Sequence, residues 1–182
     1  LRGWGVDRVD ELGAHRLGPA VDITVLSDLA VLLLLLDRTD ETESVLRTIE
    51  EVELSPTMYH YLPMLRSAVS ARRGDTPRAV DELAEAAASE RRGSSPFLAT
   101  DVCVAVAHAA LRAHEPEVAL FALGAVEQGG QRTLGAFCWR NWIREQLRPL
   151  VDDERAAVVL GEGAAVSPRD AADEGLRRLR SG

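Results

Sequence analysis

The sequence predicts an all-α protein built from antiparallel helix hairpins, and three observations lead there. Strand signals are nearly absent, while apolar residues recur at helical spacing along most of the chain. Helix-opening turns return at intervals of about 37 to 40 residues, the range of helical-hairpin repeats. Apolar residues make up 46% of the 182 residues and aromatic ones only 4%. Ala, Leu and Val therefore supply the core, which suits close-packed helices better than a β-sandwich.

A first amphipathic stretch, Asp7 to Leu17, is short and weakened by Gly13; residues 1–18 read as the remnant of a preceding repeat or a linker. Pro19 opens a long apolar helix to Leu36. Asp37-Arg38-Thr39-Asp40 is a turn with capping residues, and the helix after it, to Val52, sets Val45, Leu46, Ile49 and Val52 on one face. Ser55-Pro56-Thr57 restarts the pattern with a helix from Met58 to Arg73, carrying Pro63 near its start. At Gly74-Asp75-Thr76-Pro77, Thr76 is the expected N-cap and Pro77 suits a first turn, so the next helix covers Arg78 to Arg91.

Gly93-Ser94-Ser95-Pro96 closes that unit. Phe97 to His114 pairs with a helix begun by Glu115-Pro116-Glu117 and ended at Gly129-Gly130. Thr133 to Leu150 pairs with a helix capped by Asp152-Asp153-Glu154, and Ser167-Pro168 opens a closing helix over 167–180. Connectors this short force consecutive helices to lie antiparallel. The expectation is one domain over residues 1–182, four hairpins and a closing helix stacked as a short right-handed solenoid.

Internal similarity supports a repeat. The segment Glu117 to Gly124 aligns with Glu154 to Gly161, with Glu, Ala, Leu and Gly coinciding. Ala79 and Ala119 hold matching places, with Thr42 one unit earlier, because the helices of a hairpin approach closely near their turn.

Composition removes several function classes. All 21 basic residues are Arg, which excludes a P-loop lysine, a Schiff base and a Ser-Lys pair. A net charge of −8 and a pI near 5.1, with Arg spread along the chain, argue against a nucleic-acid surface. Cys103 and Cys138 lie in apolar runs and read as buried free thiols of a reducing cytosol. No signal peptide is evident, and the apolar run Val25 to Leu36, holding Asp28, is too short to span a bilayer. The expected location is cytoplasmic, with no membrane partner. The first residue is Leu1 rather than Met, which reads as a piece of a longer protein.

The segment Gly74-Asp75-Thr76-Pro77-Arg78-Ala79, followed by Leu83 and Ala86, resembles the middle of a tetratricopeptide repeat, although Leu83 stands where that repeat has a large aromatic. The stretch Leu160 to Leu176, with Leu160-Gly161-Glu162-Gly163 and a Ser167-Pro168 helix start, is similar to the tail of the TPR-like region in large actinobacterial ATPase regulators. In those proteins an ATPase module precedes the repeats, and a LuxR-type DNA-binding domain, a cyclase domain or nothing follows. The resemblance covers residues 75–180. It implies a sensor or relay segment of a transcriptional regulator and transfers no catalytic residue. The alternative is a free-standing adaptor or self-associating helical protein, with Val31 to Leu36 partly a homodimer interface.

No phosphate-binding, dinucleotide, zinc-protease, thiol-redox or nucleophile-elbow motif is present, so the expectation is a non-enzyme without cofactor or metal. His108 and His114 are not on one helical face, nor do Cys103 and His108 have ligand spacing; with His15 and His60 they read as surface or satisfied interior histidines. Glu82, Glu85 and Glu90, like Glu41, Glu43, Glu50 and Glu51, read as exposed faces. The cluster Trp139, Arg140, Trp142 and Arg144 is either a platform for an anionic or aromatic ligand or a hairpin interface under snorkelling arginines.

In the TPR-like register, the concave groove carries Tyr61, Met64 and Arg72, then Asp101, His108 and Arg112, then Asn141 and Glu145. That mixture suits a protein or peptide partner or a small-molecule effector; plain solvation accounts for it equally well.

Overall fold

The computed structural model describes residues 19–51, 61–93, 96–127 and 134–181, and these are helical with short turns between. The order is α1 (Pro19–Leu35), α2 (Thr39–Glu50), α3 (Tyr61–Arg72), α4 (Thr76–Gly93), α5 (Pro96–Arg112), α6 (Pro116–Val126), α7 (Leu134–Leu147), α8 (Asp153–Ala164) and α9 (Pro168–Ser181). Boundaries within the described residues fall within one helical turn of those expected. The Asp7 to Leu17 stretch, His15, His60, the Ser55-Pro56-Thr57 restart and the Gly129-Gly130 stop lie outside them.

The first three hairpins share one turn. Asp37, Gly74 and His114 take left-handed backbone angles, φ 61°, 79° and 61°, at intervals of 37 and 40 residues. Each turn closes with the same two hydrogen bonds: Arg38 N to Leu33 O and Asp37 N to Leu34 O, Asp75 N to Ser70 O and Gly74 N to Ala71 O, Glu115 N to Ala110 O and His114 N to Leu111 O. This left-handed cap satisfies the last carbonyls of one helix and turns the chain back for the next. At the second turn the N-cap is Asp75, whose carboxylate accepts from Arg78 N at 3.2 Å, and not Thr76 as expected. Helix α1 packs on α2, α3 on α4 and α5 on α6, with Ala79 and Ala119 fully buried at the approaches.

The fourth pair differs. Asp152 caps α8 from extended backbone (φ −65°, ψ 155°) by accepting from Arg155 N, without the left-handed turn. Helix α8 then lies along α6, while α7 lies on α1 and α5. Gly124 and Gly163 make the α6–α8 contact, whereas Gly161, which the internal alignment matches to Gly124, faces open space. That alignment therefore pairs helices that pack on each other through different residues.

Residues 102–110 of α5 and 118–126 of α6 are buried on every side, as helices apolar all round must be. Helix α9 covers α4, α5 and α6 with Ala171, Ala172, Leu176 and Leu179 and turns its charged face outward. It is held by Arg91–Asp173 at 2.7 Å and by both Glu90 oxygens, which accept from Arg169 at 2.8 and 3.1 Å. Glu90 is 2% exposed, so it leaves the solvated face expected for it, and the Glu82 side chain is largely covered as well. In α1, Val31, Leu33 and Leu34 are core; Val25 and Leu32, with Leu36 in the following turn, are exposed.

Helices α1, α3 and α5 pack side by side, α1 on α3 and α3 on α5. By reaching from α5 back to α1, α7 closes these first helices into a ring of four.

Candidate functional site

The interior of that ring holds most of the residues expected to line a groove. Tyr61 Oη donates to Asp101 Oδ2 across 3.2 Å, joining α3 to α5 near their starts. Arg72, at the end of α3, donates from Nη2 to Leu34 O at 2.9 Å, lies 3.4 Å from Asp37, and stacks 5.3 Å from the Trp142 ring. Met64 and Asp101 are buried, and His108 is fully so. The groove is thus occupied: α7 lies in it, and the expected open concave face is a packed interior.

Two features seat α7. At its start Gly135 N donates to Asp28 Oδ1 at 3.0 Å, and the missing side chain allows the approach, since a β-carbon there would lie 3.1 Å from Asp28 Cα. Further along, Ala136, Trp139, Ile143 and Leu147 form one buried face. The His108 ring meets Trp139 edge-on at 5.5 Å and Trp142 at 5.9 Å. Trp139 therefore fills the interface between α5 and α7, while Arg140, Trp142 and Arg144 are half-buried. Arg144 pairs with Glu127, and Arg140 lies over Phe137 at 5.4 Å. Asn141 is half-buried, Glu145 is exposed beside Arg148, and Arg112 is exposed at the ring's far end.

Several polar atoms in this seam are buried without a hydrogen-bond partner: both His108 nitrogens, Trp139 Nε1, Ser27 Oγ and Arg72 Nε. His108 is thus an interior histidine, packed against the rings of Trp139 and Trp142. Burial, with Arg72 and Arg112 adding to it, pushes its pKa down to about 3, so the ring is neutral at pH 7. At the centre, a cavity of about 10 Å³ is lined by Ser27, Val31, Tyr61, Met64, Asp101 and Trp139.

The ring is polarised along its axis. Asp28 and Asp101 lie at the end where α7 begins, and Arg72 and Arg112 at the end toward which it runs. Acids at a helix start and cations at its end complement the helix dipole, so the seat favours one direction of helix. Ser27, Asp28 and Gly135 were absent from the expected site; the signal for Asp28 was a lone acid inside an apolar run.

Elsewhere, a groove of about 620 Å³ lies among α2, α3 and α4, with Arg66 paired to Glu50 at 2.5 Å, Arg73 to Glu43 at 2.6 Å and Arg78 to Glu82 at 3.0 Å. Its charges compensate one another. Cys103 is buried, donates to Pro168 O, and burial pushes its thiol pKa well up; Cys138 is half-buried, and both are free. Among the described residues no group of His, Cys, Asp and Glu suits a metal ion, and no helix is long and apolar enough to cross a membrane.

The geometry defines a class, an all-α protein whose first helices surround a seated amphipathic helix. Compared with known protein families, curated proteins and solved structures, the chain matches none.

Proposed function

We propose that this chain is a non-catalytic, TPR-like helical-repeat module, a short right-handed solenoid that serves as a sensor or relay segment of a multidomain cytoplasmic regulator of transcription. The observation that carries this reading is the repetition of one turn at Asp37, Gly74 and His114, which brings three first helices to a common inner face. An inner face that accepts a helix is suited to a protein or peptide partner. The cavity at the inner face, about 10 Å³, is far below the few hundred Å³ that a small-molecule effector needs, whereas the charged groove among α2, α3 and α4 reaches about 620 Å³. The mechanism is differential binding: a partner favours one curvature of the stacked hairpins and so biases an attached module.

The test is the reading frame on both sides of this segment in the intact gene. A Walker-type ATPase upstream is the expected result; a start at Leu1 with a stop after Gly182 sinks the segment reading.

One observation favours a second reading, a self-associating adaptor. Val25 and Leu32 on α1, with Leu36 in the turn after it, expose an apolar stripe. Light scattering that stays monomeric at high concentration would count against it.

A further inference from the structure

The second helices of successive hairpins leave seats between them. Between α4 and α6, across α5, lies α9. Gly175 of α9 packs there on Val106 and Val118, so that seat is apolar and admits a helix at close approach. Forty residues earlier, the interval between the turns at Gly74 and His114, the same places are held by Arg66 and Arg78. They line the corresponding space between α2 and α4, across α3, which is the open groove of about 620 Å³. That volume lies in the range of small-ligand sites. Covering these arginines with an apolar helix would desolvate them, so a helix like α9 does not suit this seat.

The groove's charges are unevenly placed along it. Glu43 pairs with Arg73 at 2.6 Å, Glu50 with Arg66 at 2.5 Å and Arg78 with Glu82 at 3.0 Å. Those pairs cancel, and two lining charges are left over. Arg47 is exposed on α2 and forms no ion pair among the described residues. Asp75, in the turn before α4, accepts from Arg78 N and likewise has no ion pair there. The pairings of Glu43 with Arg73 and Glu50 with Arg66 set Arg47 level with Val69. Asp75 therefore stands about 9 Å further along the axis of α3. Between the two charges the floor is Leu46 and Val69, both buried and apolar.

An extended peptide of about three residues spans about 10 Å, so its two charged ends would match this separation. The overall balance of charge points the same way. A polyanion or a polycation would meet a like charge in every pair, whereas a zwitterion meets its complement at each end.

We propose that the groove among α2, α3 and α4 binds a short free peptide as a zwitterion. Its terminal carboxylate lies on Arg47, its terminal ammonium on Asp75 and an apolar side chain on the floor of Leu46 and Val69. The proposal deepens the sensor reading and rests on it for the consequence of binding. A peptide touching both α2 and the α3–α4 turn ties the first hairpin to the second and so favours one curvature.

The test is isothermal titration of the full chain with the tripeptide Gly-Leu-Gly. One peptide should bind per chain, with a Kd of about 0.1–1 mM. The N-acetylated and the C-amidated forms should each bind at least about fivefold more weakly. Arg47→Ala should bind the free and the amidated peptide alike, and Asp75→Asn the free and the acetylated peptide alike. Both variants should keep the fold, since Arg47 is exposed and asparagine caps a helix as well as aspartate does. Absence of binding at about 10 mM peptide overturns the proposal. So does equal binding of the free and the doubly blocked peptide, because the occupant would then be an internal segment of a longer chain.

Should either variant lose wild-type helicity, amide shifts in the wild type decide. Shifts on adding peptide that centre on 43–50 and 66–82 support the groove, and shifts centred elsewhere overturn it. Failure to bind would sink the ligand alone, since the relay reading is judged separately by the flanking reading frame.

Discussion

Gly124 and Gly163 face each other across the α6–α8 contact and bring two helix backbones together. A β-carbon on Gly163 would lie 3.2 Å from Gly124 Cα and inside the van der Waals shell of Phe121 O; one on Gly124 would strike Leu160 O. Backbone cannot swing aside as a flexible side chain can. Gly163→Ala should therefore cost about 2–3 kcal/mol, the upper range for overpacking. Gly161→Ala, two residues away and facing open space, should stabilise by about 0.5–1 kcal/mol through helix propensity. Urea denaturation of the pair separates the effects; equal values would show that α6 and α8 do not touch through Gly163.

His108 makes stability depend on pH. Its folded pKa is pushed down to about 3, while an unfolded histidine titrates near 6.5. Between those values the unfolded chain binds the extra proton, so stability is fully present above about pH 6.5 and declines as the pH falls toward 3. The slope from this residue alone approaches about 1.4 kcal/mol per pH unit. His108→Leu should flatten the curve below pH 6, measured as the difference between wild-type and variant unfolding free energies. An unchanged slope would show that water reaches His108.

The hairpin order was legible because its signals are local. Gly74-Asp75-Thr76-Pro77 and Glu115-Pro116 carry turn chemistry that needs no tertiary context, and helix periodicity does the rest. The inner-face residues were legible for the same reason: once the register was set, Tyr61, Arg72, Asp101 and His108 had to share a side. What covered them was not legible. The face of α7 reads equally as one partner of a fourth hairpin, and only the different turn before Asp152 sends α8 to α6 instead. Gly163 gave no warning either, since glycines at close approaches and at open positions look alike in sequence. Glu90 read as solvated because its partner, Arg169, lies far along the chain.

The shared turn offers a test of backbone strain. Gly74 has φ 79° with nothing near its missing β-carbon, so Gly74→Ala isolates the conformational term and should cost about 1 kcal/mol. At the equivalent place His114 adopts φ 61° at the strain that glycine avoids. His114→Gly should raise stability by about 0.5 kcal/mol after the greater freedom of glycine in the unfolded chain is counted. Thermal melts should show opposite shifts of Tm; shifts in the same direction would contradict the equivalence of the two turns.

Glu90 and Arg169 provide the last test, on how α9 is held. The Glu90 side chain is 3% exposed, and Arg169, 48% exposed, binds both its oxygens from the first turn of α9. Removing the arginine strands a buried carboxylate, whereas removing both charges strands nothing. Arg169→Ala should therefore lower stability, by less than the loss of one partner from a fully buried pair because the arginine is half in water. The double variant Glu90→Leu with Arg169→Met should lie closer to the wild type than Arg169→Ala alone. If Arg169→Ala alone proves neutral in urea denaturation, Glu90 is reached by solvent and α9 is held by its apolar face, Ala171, Ala172, Leu176 and Leu179, without help from the ion pair.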